Sequence, residues 1–456
     1  MEYKLSSYHL STSPIEINAK ESKRILYSTK TGTSMMVNDD LYTRLVSEDF
    51  ENISLTTLNK LFSLELIVPK SENEFKSILE QNKGAITELE VLGITIQPTS
   101  NCQLGCHYCG QVHTKENTSD DLQAKILSRI DNKLTKGTRY KSLSVMWYGG
   151  EPLLGYNQIK SMSTQLVEMS KRHNVTYVAS MITNGLSLKP EIFKELYLKQ
   201  NVFSFQITVD GTKEHHDKRR ITKEGKATYD IILSNILKIT SLPEYKRYNK
   251  TPIVLRVNID KTNYHSVTDL LDILAGYELQ DKIYLNFSPV INWGDLKCGE
   301  EAGLSKEEYS KLEIELLMYS IRKGFTVPEM IPERTHQPCM VVDKDSEVYD
   351  AQGNIYPCYE FSYTPFYDNK EHTIGNLKLP EETYNNNVKT RDWFDSEIEK
   401  GSSWCKGCKF FPVCGGGCVK KWYVDEPACP PFKFNIEERL MLDYLIKKKI
   451  SLPESV

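Results

Sequence analysis

Between residues 91 and 288 the chain alternates between two kinds of hydrophobic order. Short runs dense in β-branched and aromatic residues read as strands: VLGITIQ (91–97), SLSVMWY (142–148), TYVASMI (176–182), FSFQITV (203–209), IVLRVNI (253–259) and KIYLNFS (282–288). Amphipathic helical patterns lie between most of them. The first is TSDDLQAKILSRIDNKL, with Asp120 and Asp121 in the acidic first turn that the helix dipole favours. Six strands alternating with helices predict a parallel α/β sheet, either doubly wound or closed part-way into a barrel. In both architectures chemistry belongs in loops at the C-terminal ends of the strands.

The flanks are patterned differently. Two strand-like stretches, SYHLSTSPI and KRILYSTKTGTSMMV, open the chain, the second broken by a Thr-Gly turn. Two short helical patterns follow, for which Asn38 and Ser54 serve as N-caps. Together they predict a winged-helix-like module over residues 1–88. Its last stretch, PKSENEFKSILEQNKGAITE (69–88), is polar and reads as a linker. The expected order is then a barrel core over 89–300, a bridging helical segment over 301–335 and a rear domain over 336–456.

Composition narrows the class. A chain of 456 residues is too long for one ordinary domain. Hydrophobic and charged fractions of 39% and 26% are those of a soluble globular protein. A formal charge of -4 argues against a nucleic-acid footprint, which needs a basic surplus. No apolar run reaches membrane-spanning length, and MEYKLSSYHLSTSPIEINAK lacks an apolar signal core. The expectation is a cytoplasmic protein with neither nucleic acid nor membrane as partner. In that compartment eleven cysteines are better thiolate ligands than disulfides.

Ten of the eleven follow regular spacings. Cys102, Cys106 and Cys109 form a C-x3-C-x2-C run inside QPTSNCQLGCHYCG, just after the first strand. Gly149-Gly150-Glu151 directly follows the second strand, so both motifs face one mouth. A [4Fe–4S] cube ordinarily takes four thiolates, and the front run supplies three, leaving one iron open. Gly105 permits a tight wrap. Zinc with a distant fourth ligand is the competing reading. The rear set is Cys339, Cys358, Cys405, Cys408, Cys414, Cys418 and Cys429. Within it, YDAQGNIYPCYEF reads as a hairpin whose Gly353 turn delivers Cys358, and Gly415-Gly416-Gly417 lets the chain fold tightly between two cysteines. Zinc knuckles share the C-x2-C element and remain the alternative here.

The front run resembles the signature of the radical S-adenosylmethionine (SAM) superfamily. That resemblance implies a partial (β/α)6 TIM-like barrel whose open iron binds the SAM amino and carboxylate groups. Reductive cleavage then gives a 5′-deoxyadenosyl radical that abstracts hydrogen. Tyr148-Gly149-Gly150-Glu151-Pro152 is similar to the family's GGEP run, where Glu151 would hold the SAM ammonium and the glycines admit close backbone approach. Tyr108 matches the aromatic beside adenine. Thr183-Asn184-Gly185, and Thr208 with Asp210-Gly211, resemble ribose-side motifs. His216 to Arg220 matches the HDxxR run, which implies that Arg220 meets the SAM carboxylate. Alone, each reads more simply: Asn-Gly as a turn, His216 as a structural histidine. Their order along the chain carries the resemblance.

The rear cysteines resemble the SPASM domain, which holds two auxiliary [4Fe–4S] clusters, making three clusters in all. The resemblance assigns Cys405, Cys408, Cys414 and Cys429 to an outer cluster, and Cys339, Cys358 and Cys418 to an inner one. The inner set is one ligand short, and Cys298 is the remaining candidate. Relatives with this plan mostly modify peptides. The N-terminal module resembles the element by which ribosomal-peptide (RiPP) maturases bind a precursor's leader through strand addition. The implied function is a maturase that forms a C–S, C–C or C–N link in a precursor peptide, drawing electrons from a donor such as flavodoxin or ferredoxin. The runner-up is an anaerobic sulfatase-maturating enzyme, but Tyr359 stands where that family places an aspartate base after the hairpin cysteine. A leader-binding or electron-carrier protein without radical chemistry is the reading from another class. No general base stands out.

Overall fold

In the computed structural model the described residues are 2–18, 21–291, 302–365, 371–422 and 427–450. All six expected central strands are present: β7 (Val91–Ile96), β8 (Ser142–Trp147), β9 (Thr176–Thr183), β10 (Val202–Thr208), β11 (Ile253–Ile259) and β12 (Ile283–Pro289). They pair in parallel and in sequence order. Helices α4 (Asp120–Lys136), α5 (Tyr156–Arg172), α6 (Pro190–Lys199), α8 (Tyr229–Thr240) and α9 (Val267–Gly276) connect them, with short α7 (Lys213–Arg219) before α8. Ser119 caps α4 through the Leu122 amide, ahead of Asp120 and Asp121.

The strands alternate because their two faces meet different surroundings. Leu143, Val145 and Trp147 of β8 are fully buried in one apolar core with residues such as Ile126, Ile130 and Ile159 of the helices. Ser180, Gln206, Arg256, Asn258, Tyr284 and Asn286 alternate with buried apolar neighbours and stay half-buried. The second face is thus a polar lumen.

The sheet does not stop at the barrel. β13 (Glu347–Tyr349) lies parallel to β7, and β14 (Asn354–Tyr356) and β15 (Gly375–Asn376) continue it to nine strands. The expected hairpin is β13–β14, turning at Gly353 with φ 89°. Arg129 of α4 grips Glu347 of β13 with two nitrogens, at 2.7 and 2.8 Å. The rear cysteine region is therefore welded to the barrel through a shared sheet, a continuity that spacing alone does not reveal.

In the N-terminal module, β4 (Glu21–Ser28) is central. β2 (His9–Ser11) and β3 (Ile15–Asn18) share one side of it, and β5 (Thr33–Asn38) takes the other. The first expected strand is thus two, separated at Thr12-Ser13-Pro14. Helices α1 (Asp39–Val46) and α2 (Leu55–Ser63) follow. β1 (Tyr3–Leu5) and β6 (Ile67–Pro69) form a separate antiparallel pair. Ser54 caps α2 by accepting from the Thr57 amide, whereas Asn38 makes no side-chain cap and ends β5 instead.

The expected linker is not one. Residues Glu74–Thr87 form a fourteen-residue helix, α3, capped by Asn73. Phe75, Ile78, Leu79 and Ile86 recur at helical spacing and pack into the core that holds Trp393 and Phe411. The stretch looks polar because only this one stripe is buried. The bridging segment contains α10 (Lys306–Arg322), closed at its start by a Ser305–Glu308 capping box.

Candidate active site

The segment after β7 brings the front cysteines to the mouth of the lumen. It is laced to the chain after α7 by backbone bonds: Gly105 amide to Ile221 carbonyl at 2.9 Å, and Lys223 amide to Gln103 carbonyl at 2.9 Å. Cys102 is buried, and Cys106 and Cys109 are half-buried. Electrostatic coupling sorts the ten described thiols into three groups. Cys102 feels Cys106 and Cys109. Cys358 feels Cys339 and Cys418. Cys414 feels Cys405, Cys408 and Cys429. Cys298 lies outside the described residues.

Burial, with Glu151 next, pushes the Cys102 thiol up to about 12. Burial likewise raises Cys339 and Cys405 to about 11 and Cys414 to about 12. Metal binding to such thiols must expel protons. No three His, Cys, Asp or Glu side chains among the described residues converge on a single-ion site.

Glu151 is fully buried beside this group. Its carboxylate accepts from the Thr183 hydroxyl at 2.7 Å, the Asn184 amide at 2.7 Å and the Leu153 amide at 3.0 Å. Burial raises its pKa, and these three donors oppose the rise. A carboxylate has about four acceptor sites, so roughly one remains. The Asn184 side-chain amide in turn points at Cys102 Sγ, 3.9 Å away. Gly149 has φ 117°, where a side chain is strained, and a Cβ there would sit 2.9 Å from the Thr99 carbonyl. A Cβ on Gly150 would run into the carbonyl of Asn101.

Across the mouth lies a second network. The Tyr108 hydroxyl donates to Asp210 and accepts from Arg220 at 2.6 Å and Asn258 at 3.1 Å. Arg220 is buried and its Nε has no partner among the described residues. Asp210 also accepts from the Asn258 amide at 2.8 Å. His216 is structural: Nδ1 accepts from the Asp210 amide at 3.2 Å, and Nε2 lies 3.0 Å from the Thr228 hydroxyl. Thr208 ends β10 beside Arg256 in register. Deeper in, Tyr148 sits within the electrostatic reach of both Cys109 and Cys358 and packs its edge on Tyr359 at 5.2 Å. Glu360 pairs with buried Lys420 at 3.2 Å.

Of the residues singled out by sequence reasoning, Tyr108 and Arg220 share one network, Glu151, Thr183 and Asn184 share another beside Gly149 and Gly150, and Thr208 stands at the end of β10 in register with Arg256. That reasoning missed Asn258 and Arg256. Their signal was available: two polar residues at alternate positions of IVLRVNI, on a strand whose other face is wholly apolar.

Comparison with known proteins agrees with this geometry. The model of the Radical SAM superfamily matches residues 96–245. A cysteine-type anaerobic sulfatase-maturating enzyme from Clostridium novyi is 27% identical over 388 residues, covering 79% of this chain and 98% of that protein. The radical SAM cyclopropyl synthase TigE from Paramaledivibacter caminithermalis is 24% identical over 440 residues, 87% of this chain and 84% of that protein. Among solved structures, Streptococcus suis SuiB bound to precursor peptide SuiA matches with a TM-score of 0.52 at 13% identity, covering 94% of this chain and 98% of that one. Residues 96–245 thus form a Radical SAM domain, and over most of its length the chain is similar to SPASM-type radical SAM maturases. That domain implies a [4Fe–4S] cluster and SAM.

Proposed function

We propose that the protein is a radical SAM/SPASM maturase that abstracts hydrogen from a ribosomally made precursor peptide and closes a C–S, C–C or C–N link in it. The observation that carries this reading is the mouth itself, where three thiols meet a buried carboxylate and an arginine with an unpartnered nitrogen. The donor set fits the implied groups. Cys102, Cys106 and Cys109 would hold the front cluster. Cys405, Cys408, Cys414 and Cys429 would hold an outer cluster, and Cys339, Cys358 and Cys418 an inner one. Cys298 is the candidate for the inner cluster's fourth ligand. When bound, the front cluster and SAM supply a 5′-deoxyadenosyl radical. Arg220 orients the SAM carboxylate with its spare Nε–H, and Glu151 takes the ammonium with its remaining acceptor site. Gly149 and Gly150 keep the wall thin. Thr183, Asn184 and Thr208 lie on the ribose side, and Tyr108 holds the mouth's network together beside the adenine.

Residues 1–88 are the leader-binding module in this reading. Support comes from β5, which pairs only with β4 among the described strands and so offers a free edge for strand addition. The electron donor is a flavodoxin or ferredoxin. A second reading, sulfatase maturation, draws support from the Clostridium novyi relative; Tyr359 at the expected aspartate position weighs against it. The test is an anaerobic assay of cluster-loaded protein with reductant and SAM. Candidate substrates are added in turn: any short precursor-like peptide encoded beside the gene, and a sulfatase fragment. The expected result is 5′-deoxyadenosine and loss of two hydrogens from the precursor peptide. Formylglycine in the sulfatase fragment would establish the second reading. Absence of 5′-deoxyadenosine would leave only an electron carrier or peptide binder.

A further inference from the structure

The lumen contains a guanidinium whose two terminal nitrogens meet no residue of the proposed SAM site. Arg256 projects from the middle of β11 on the half-buried face, flanked in register by Thr208 and Asn286. Its Nε donates to Asn258 Oδ1 at 2.9 Å. Its two terminal nitrogens make no hydrogen bond, and no carboxylate lies within 4.0 Å, among the described residues. Glu360, which feels the charge of Arg256, already pairs with Lys420.

The bond to Asn258 sets the direction of this fork. Asn258 also donates to the Tyr108 hydroxyl, so Arg256 is tied into the same network as Arg220. The two arginines nevertheless serve different neighbourhoods. Arg220 faces the front thiol Cys106. Arg256 is coupled to Tyr359 and Glu360, next to the inner thiol Cys358. A half-buried guanidinium fork that faces no anion is open to one entering the lumen.

We propose that Arg256 is a substrate-binding site for a carboxylate of the peptide, held between the SAM mouth and the inner thiol group. This rests on the maturase reading and names its substrate class: a peptide with an acidic side chain, or a free C-terminus, near the residue that is modified. A guanidinium fork matches a carboxylate with two parallel hydrogen bonds, which fixes orientation as well as affinity. Arg256 would thereby set which carbon faces the mouth.

The test uses full-length, cluster-loaded protein with SAM and two mass-resolved peptide libraries. One holds acetylated, amidated decapeptides carrying a single Asp or Glu, paired with their Asn and Gln isosteres. The other holds decapeptides without acidic residues, with free or amidated C-termini. Bound peptides are separated by rapid gel filtration and identified by mass. The parent should retain the carboxylate member of the pairs in one library by about tenfold or more, the scale of a charge-assisted contact. The library that shows this identifies the source of the carboxylate. Arg256→Gln should abolish the preference while lowering SAM affinity far less, and Arg256→Lys should restore only part of it. Equal retention of both members by the parent overturns the proposal, as does an undiminished preference in Arg256→Gln. A loss of SAM affinity in that variant as large as the loss of preference also overturns it, by assigning Arg256 to SAM. Formation of 5′-deoxyadenosine by the parent is measured separately, so failure of the radical reading is distinguishable from failure of this site.

Discussion

Replacing Glu151 with glutamine changes one atom and tests how the mouth is held. All three groups around the carboxylate are donors to it: the Thr183 hydroxyl and the Leu153 amide on one oxygen, the Asn184 amide on the other. The hydroxyl can rotate and become an acceptor; the two backbone amides cannot. In either orientation, the glutamine NH2 therefore faces one of those N–H groups, leaving a buried donor unsatisfied. That costs about 1–3 kcal/mol, and loss of charge assistance on the remaining bonds brings the total to about 2–4 kcal/mol. The Asn184 amide belongs to the turn that carries its side chain toward Cys102, and the Leu153 amide to the turn that follows Glu151. Hydrogen exchange at Leu153 and Asn184 should accelerate by roughly thirtyfold or more, the factor for about 2 kcal/mol of local opening. SAM affinity should fall about tenfold to a hundredfold through the lost ammonium contact. Protection at both amides equal to the parent, with SAM affinity within about twofold, would show that the carboxylate neither builds the turns nor meets the ligand.

Gly150→Ala should be destabilising by about 1–3 kcal/mol in thermal unfolding, because its Cβ meets the Asn101 backbone with the carbonyl carbon at 2.8 Å. Gly84→Ala, in α3 with nothing within 4 Å of the added Cβ, should stabilise by about 0.5–1 kcal/mol and serves as the control. Burial, then Arg220 and Arg219, hold the His216 imidazole at a pKa of about 3. A base depressed in the folded state contributes stability that is complete above its ordinary value of 6.5 and lost as pH falls toward 3. Denaturant midpoints of the parent should thus register a loss of about 2 kcal/mol between pH 7 and pH 5 from this residue, and His216→Gln should lack that share of the slope. Iron analysis of the Cys102, Cys106 and Cys109 triple alanine variant should show about four fewer irons than the parent, with 5′-deoxyadenosine formation abolished; unchanged iron would remove these thiols from the front cluster.

The six central strands were legible because a parallel sheet covered by helices imposes strong periodicity on both element types. The motifs of the mouth were legible because most of them lie in the connections that leave the C-terminal ends of the strands. Three features were hidden, each for a physical reason. α3 buries one narrow stripe, so its composition reads as linker. The pairing of β13 with β7 joins residues some 250 positions apart through three residues each, too few for a local pattern. The role of Arg256 and Asn258 was hidden as well: their alternation marks a polar face, but only the assembled sheet places that face in the lumen. The grouping of the thiols is a tertiary fact as well. Cys418 is four residues from Cys414, yet couples to Cys339 and Cys358, because Gly415, Gly416 and Gly417 all take positive φ and reverse the chain between them.

The N-terminal module is not an appendage to the rear domain. Leu26 of β4 faces the module's own core with Val37, Leu45 and Leu61, while Ile25 and Tyr27 on the opposite face pack with Phe410, Val413 and Leu440. Tyr8, Ile78 and Leu79 share a core with Cys358, Cys405, Trp393 and Phe411. The Thr29 hydroxyl donates to the Lys409 carbonyl at 2.6 Å, one residue from Cys408. Burial raises the Tyr8 phenol to about 12, with further contributions from Glu74 and the nearby Cys408. Removing residues 1–88 would strip apolar cover from two groups of thiols at once. Loss of activity in such a truncation would follow from exposed core alone and would say nothing about a leader. The free edge of β5 is the more discriminating place to intervene, because that edge lies on the side of the sheet away from β2 and β3 and carries no ladder to another described strand. The same packing gives an occupant of that edge a short physical route to the rear thiols: β5 to β4 by backbone ladder, and β4 to the loop of Cys405 and Cys408 by side chains. Coupling along such a route requires an element with two arrangements, and the central strand, buried on both faces, is the place to look for it.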